Sequence, residues 1–343
     1  MVLDERKKLI LEAIIKDYVE TAEPVGSRSI VRKHQLGVSP ATVRNEMADL
    51  EEMGFLEQPH TSAGRIPSQL GFRYYVDCMM EKEELAENEK ELLHRVLSDR
   101  INDIFEVIRR TGVTLSQFTR YASFVISGPI KVAEIKSVQL VRMQKGTALV
   151  VLVTSSGVIL HKLIDTPESI QAHDLEKISA FFTRGLAGVK LGELSRTSLK
   201  SLRDELLSQR RAIDRVLEAI DELLQASDEE KVLISGAINM LNEPEFRNPD
   251  KLKTVLGILE ENSLFKKVLN DPGPQEVRIK IGRENEVEEI QELSLVFTSY
   301  EINGQEMGKI GLIGPVRMQY WRAAGLVESF RDVVEDVIRK LMM

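Results

Sequence analysis

The first periodic signal in the chain is helical. Ile10, Leu11, Ala13, Ile14 and Tyr18 recur at three- and four-residue spacing, which predicts a helix over 4–21 with one apolar face. Pro24 pushes Glu23 out of the helical region and ends it. A second, shorter pattern runs from Ser27 to His34, with Ile30 and Val31 inward. Gly37 supplies the left-handed residue of a tight turn. Ser39-Pro40 then starts a third helix: Ser39 caps, and Pro40 at the first helical position loses no useful N–H. That helix runs to about Met53 and stops at Gly54. Val43, Met47 and Leu50 fall on one face, with Ala41, Asn45 and Ala48 opposite. Phe55-Leu56-Glu57 and Ile66-Pro67 predict a short β-hairpin with Thr61-Ser62-Ala63-Gly64 at its tip.

Further along, Glu83 to about Gly112 reads as one long amphipathic helix, with Leu85, Glu89, Leu92, Val96, Ile101, Ile104 and Ile108 on a partly interrupted apolar stripe. Such a helix either connects domains and packs on a partner or belongs to its own domain. Residues 134–164 alternate in β-rich runs separated by Lys145-Gly146 and Ser156-Gly157, the pattern of an antiparallel meander. Helices are expected near 168–186, 195–225, 228–241 and 249–270, strands at 276–282, 293–299 and 308–313, and a last helix over about 318–341. Strands, a helical block and strands again predict one α/β domain interrupted by an insertion, with the late strands completing the meander's sheet.

Two helices joined by a tight turn and followed by a hairpin arm form the pattern of a winged helix-turn-helix, which places its last helix in the DNA major groove. The net charge of −8 opposes a general nucleic-acid coat. The local charge is different: from Arg28 to Arg44 the charged residues are Arg28, Arg32, Lys33 and Arg44, and the acids Glu46, Asp49, Glu51 and Glu52 follow. The exposed start of the third helix is Pro40, Ala41, Thr42, Arg44 and Asn45. Arg bonds bidentately to guanine, Asn to adenine, and Thr or Ala touches a thymine methyl. Ser39 and the helix N-terminus suit a phosphate. Arg28, Ser29 and Arg32 are candidates for backbone contacts. On the arm, His60, Thr61, Ser62 and Arg65 are candidates, and a minor groove attracts the charge of Arg65. Alone, an S-A-G-R loop is an ordinary solvated hairpin; directly after a helix-turn-helix it reads as a wing.

Other chemistry finds little support. Hydrophobic residues at 43% and charged residues at 29% are ordinary. Cys78 is the single cysteine, so an intrachain disulfide and a cysteine-based zinc site within one chain are excluded. The N-terminus lacks a long apolar stretch, and no run approaches the ~18 apolar residues of a spanning helix. A cytoplasmic protein with no membrane partner is expected. The five histidines are scattered without H-E-x-x-H or G-x-S-x-G context, so no catalytic site, metal or cofactor is expected. Gly308, Gly311 and Gly314 recur without the ending of a P-loop and read as turns around a strand. A scaffold that binds proteins through a winged helix is disfavoured by the acid-free stretch.

EPVGSRSI and VSPATVRNEMADLEEMGFLEQPHTSAGRIPSQLGFRYYVD strongly resemble the HrcA family of heat-inducible transcription repressors, densely over about residues 1–80. GKIGLIGPVRMQY resembles it more weakly. The resemblance implies an α+β multidomain chain: a winged-helix DNA-binding domain over 1–80, a GAF-like domain with a connecting helix over 81–166 and 272–343, and a mainly helical inserted dimerising domain over 167–271. It implies a homodimer that binds double-stranded DNA at an inverted-repeat operator of chaperone operons, with the chaperonin modulating its activity. The alternative is a ligand-sensing winged-helix regulator of other genes.

Overall fold

The computed structural model describes residues 3–60, 64–99, 103–127, 133–155, 157–194, 210–227, 231–248, 253, 255–257, 259, 276–302 and 304–341. Asp4 accepts from the Lys7 N–H and starts α1 (Glu5–Thr21), which ends as Ala22 turns left-handed at φ 58°. α2 (Ser27–His34) and α3 (Pro40–Glu52) follow, joined through Gln35 at φ 48° and Gly37 at φ 66°. Ile10, Ile14, Ile30, Val43, Met47 and Leu50 form the shared core, as their spacing predicts. β1 (Leu56–Glu57) and β2 (Ile66–Pro67) pair antiparallel, and an isolated bridge from Val25 to Arg65 lays the hairpin base on the α1–α2 connection. α4 (Gln69–Cys78), not expected from the sequence, starts at Ser68, whose hydroxyl accepts from the Gly71 N–H and donates to the Gly54 carbonyl.

The single helix expected from Glu83 to Gly112 is two: α5 (Glu87–Ser98) and α6 (Ile104–Thr119). Asp99 is extended, and Asp103 caps α6 by accepting from the Phe105 N–H. Arg110 donates to the carbonyls of Val96 and Asp99, satisfying the end of α5. The apolar face also differs from the expected stripe. Leu93 and Leu97 are buried, whereas Leu92 and Val96 are exposed.

The meander forms as expected from β4 (Ile135–Gln144), β5 (Thr147–Thr154) and β6 (Ile159–Asp165), turning at Gly146 with φ 83°. It stays a separate three-stranded sheet, so the late strands do not complete it. Instead β3 (Ala122–Ser127), β7 (Lys231–Ser235), β8 (Arg278–Ile281), β9 (Leu293–Ile302) and β10 (Gln305–Pro315) make a five-stranded antiparallel sheet in the order β7-β3-β10-β9-β8. β3 had no alternation to read, because all six of its residues are buried. β7 replaces part of the helix expected over 228–241: Val232, Leu233 and Ile234 pair with β3, and a 3-10 turn follows at Ala237–Asn242.

Between Ser127 and Lys231 the chain leaves the five-stranded sheet for the meander, α7 (Ala172–Leu186) and α8 (Arg210–Ser227), and β7 of that sheet lies inside the range 167–271 expected to be helical. The reason is visible at β4. Its Val138 and Leu140 N–H groups donate to Thr183 Oγ1 and Ser179 Oγ on α7, so the meander and the helix after it form one packed unit. The helix expected over 168–186 is α7. Of the helices expected over 195–225, 228–241 and 249–270, residues 195–209, 228–230, 249–252, 254, 258 and 260–270 lie outside the described residues, and 253, 255–257 and 259 are helical.

α6 and α9 (Tyr320–Leu341) cover one face of the five-stranded sheet; Met240, Phe246, Val255 and Leu259 join the core on the other. Gly311 lies inside β10, where a Cβ would sit 2.5 Å from a Phe124 ring atom and 2.6 Å from Phe297 Cβ. Glycine there lets two aromatic side chains cover the sheet, and Gly308, Gly311 and Gly314 all lie within β10 rather than in turns around a strand.

Candidate nucleic-acid interface

α3 is held by burial of Val43, Met47 and Leu50, all at most 4% exposed. Ser39 Oγ accepts from the Thr42 N–H at 3.1 Å and lies 2.9 Å from Thr42 Oγ1, so the first turn is capped and Thr42 is half-buried. Pro40, Ala41, Arg44 and Asn45 are exposed at this end. Arg28 and Arg32 are exposed on α2, and Ser29 is half-buried beside them. His60 is exposed in the bend that follows β1; Thr61 and Ser62 lie outside the described residues.

Ion pairing sorts the charges. Lys7 reaches Glu46 at 2.7 Å and Asp49 at 3.0 Å, and the Glu46 carboxylate, then Asp49, holds its ammonium above the ordinary lysine range. Glu51 takes both Nε and Nη2 of Arg65 at 2.8 Å. Arg65 is therefore tied to α3 at the base of the hairpin, with its backbone paired to Val25, rather than projecting from the tip. Lys33 pairs with the buried Asp17 at 3.3 Å, which His34 also contacts at 3.0 Å. Sequence spacing gave no sign of this α1–α2 pairing. In the described residues before Met79, the cations without an ion pair are Arg28, Arg32 and Arg44. All three lie on α2 or the first turns of α3. The acids that follow Arg44 are mostly turned toward Lys7 and Arg65, so they do not neutralise this end.

Among the described residues no group of His, Cys, Asp and Glu is placed to hold a metal, and no helix is long and apolar enough to cross a membrane. The arrangement is a positively charged helix start with hydrogen-bonding and small apolar side chains, suited to base edges and phosphates.

The family model described as HrcA protein C terminal domain matches residues 105–324. The chain is 42% identical to the heat-inducible transcription repressor HrcA of Pelotomaculum thermopropionicum, over 100% of this chain and 99% of that protein. It is 44% identical to the repressor of the same name from Carboxydothermus hydrogenoformans, covering 98% of each. A crystal structure titled only as a hypothetical protein superposes with a TM-score of 0.70 at 21% identity, over 99% of this chain and 100% of that one, which shows the fold.

Proposed function

The chain belongs to the HrcA family of heat-inducible transcription repressors, a family of non-enzymatic regulators, and from that membership we propose that it reads an inverted-repeat operator as a homodimer and represses heat-shock chaperone operons. α1 to α3 and the hairpin act as a winged helix. The observation that carries this is the confinement of the unpaired cations before Met79, among the described residues, to Arg28, Arg32 and Arg44. Arg44 and Asn45 read base edges, with Pro40, Ala41 and Thr42 against thymine methyls. Ser39, Arg28, Ser29 and Arg32 hold phosphates. His60, Thr61 and Ser62 form the wing, and Arg65 fixes its base through Glu51. Bound there, the dimer blocks transcription. Selection of bound duplexes from a random pool tests this. A palindromic consensus is expected; enrichment of no motif, or of an isolated half-site, overturns it.

The homodimer is supported by the outer face of the meander in the inserted unit. Val141, Leu149 and Leu163 stand in one cross-strand row and Val153 and Ile159 in another, with Met143 beside them. Ile159, Leu163 and Met143 are 57–59% exposed. An apolar sheet face is self-complementary across a two-fold axis. Leu163→Asp is expected to shift sedimentation to monomer; an unchanged dimer removes this face from the interface.

The five-stranded sheet is the GAF-like domain of this reading. β3 cannot complete its pairings until β7 and β10 are made, a non-local step that exposes apolar surface meanwhile. That supports the chaperonin as modulator: active dimer accumulates when chaperonin is free to fold it. Full recovery of operator binding after denaturation without chaperonin contradicts this.

A ligand-responsive regulator is favoured by one feature, a cavity of about 660 Å³ where Thr21, Arg120, Gln319 and Arg322 meet. A metabolite that raises the melting temperature and alters operator affinity is the result that reading expects; a screen without such a compound removes it.

A further inference from the structure

Two arginines far from the reading helix fasten α1–α4 to the five-stranded-sheet unit. Arg73 on α4 donates through Nη2 to the Ile279 carbonyl at 2.6 Å. Its Nε and Nη2 also grip the Glu284 carboxylate at 2.8 and 2.5 Å. On the other side, Arg317 lies in the segment joining β10 to α9. Its Nη1 donates to the Val19 carbonyl near the end of α1 at 3.0 Å, while Nε and Nη2 bind Glu245 and Glu243 at 2.6 and 2.5 Å. The Arg317 side chain is 11% exposed. Burial opposes its charge, but Glu245 and Glu243 outweigh that and raise its pKa above the ordinary arginine value.

Between the two arginines runs an aromatic seam. Phe72 meets Tyr320 edge-on at 5.8 Å, and Tyr75 meets Trp321 edge-on at 6.1 Å. The segment leaving α4 is pinned as well: the Glu83 N–H donates to the Trp321 carbonyl at 3.1 Å, and a Cβ at Gly325 would lie 1.9 Å from the Glu83 carbonyl oxygen. The seam supplies non-directional apolar contact. The guanidinium forks, each bonded to carboxylate and backbone at once, fix angles.

We propose that Arg73 and Arg317 are positioning residues that set the half-site spacing the dimer accepts. This rests on the reading of a homodimer on an inverted repeat. Inserting one base pair rotates the second half-site by about 35° and moves it by roughly 3.4 Å. A reading head locked to its own subunit cannot follow that rotation, whereas a head freed at the junction can. Spacing selectivity then resides at the junction, and base selectivity in α3.

The test uses the full chain as wild type, Arg317→Met, Arg73→Met, the double variant and Arg317→Lys. Each is titrated against the selected operator, operators with one, two or five base pairs added or removed between half-sites, an isolated half-site and a scrambled duplex. Wild type is expected to lose about tenfold or more with one or two base pairs changed. The double variant is expected to bind the altered spacings within about threefold of one another, because both heads still engage. Its half-site affinity, base preference and sedimentation stay at wild-type values, and Arg317→Lys lies between. Hydrogen exchange supplies a readout independent of DNA: amides of 79–86 exchange faster in the double variant while those of α3 do not change. A wild-type spacing profile in the double variant overturns the proposal. So does a parallel loss on every duplex or unaltered exchange at 79–86. Failure of the operator reading itself looks different: wild type then binds operator and scrambled duplex alike, and the spacing proposal falls with it.

Discussion

Removing the Arg44 guanidinium is the sharpest test of the reading end of α3. Arg44 is exposed and makes no hydrogen bond or ion pair among the described residues, so Arg44→Ala should change folding stability by no more than about 0.5 kcal/mol. Its effect should appear on DNA alone. A guanine-reading arginine is worth roughly 1–3 kcal/mol at one half-site. A dimer loses two copies at well-separated positions, so the penalties add to about 2–6 kcal/mol, at least a 30-fold rise in Kd by order of magnitude. Fluorescence-anisotropy titrations against operator and scrambled duplex, at low and moderate salt, separate reading from general attraction. Arg44→Ala should weaken operator binding far more than scrambled binding. Arg28→Ala should weaken both about equally and lower the salt slope by about one per site. Equal losses on both duplexes for Arg44→Ala would refute base reading by this helix start, however much total affinity fell.

Ser39→Ala removes the cap on α3 and should cost about 1 kcal/mol in urea unfolding; Ser39→Asp keeps the cap but places a carboxylate at the phosphate position, so stability should hold while operator and scrambled binding both fall. Gly311→Ala forces a methyl against Phe124 and Phe297 and should destabilise the five-stranded sheet by about 1–3 kcal/mol, read by thermal melting. Glu106 gives a pH signature. Arg109 and then Arg110 hold its carboxyl down to about 2 from an ordinary 4.5, so its contribution is complete above that ordinary value and fades as pH falls toward 2. Glu106→Gln should therefore lower the melting temperature slightly near neutrality, and the difference should close in acid; a difference that grows in acid would contradict the sign.

The N-terminal elements were legible because their signals are local. Ser39-Pro40, Gly37 and the Val43, Met47, Leu50 spacing act within one or two turns of chain, and the helices fall where those residues place them. The sheets were less legible because strand partnership is non-local. β4, β5 and β6 were found through their alternation and turns, but nothing within β10 says that its neighbours are β3 and β9 rather than the meander. β3 is buried throughout and β7 is five residues long, so neither offered a period to read. The helix break before α6 was hidden for a related reason: an aspartate that caps and one that merely sits on a solvated face look alike in sequence. At the candidate interface, residue types were visible but pairing was not. Arg65 reads as a free wing cation until Glu51, on the preceding helix, is seen to hold it.

That pairing changes how an acidic chain can approach DNA. A net charge of −8 acts at long range, and over more than about 8–10 Å it is screened at physiological salt. What reaches the phosphates is therefore the nearest uncompensated charge, not the total. Glu46 and Asp49 face Lys7, and Glu51 faces Arg65, so these acids of α3 are satisfied within the fold. Arg28, Arg32 and Arg44 have no such partner among the described residues. The same ion pairs keep α3 in register with α1 and the hairpin. Breaking Lys7 from Glu46 would thus loosen the helix and release negative charge beside it at once, two effects of the same sign on DNA affinity. The contacts that set the local electrostatic field of the N-terminal unit therefore also add to the apolar hold of Val43, Met47 and Leu50 on α3, and a substitution among them changes the field strongly and stability by a smaller amount.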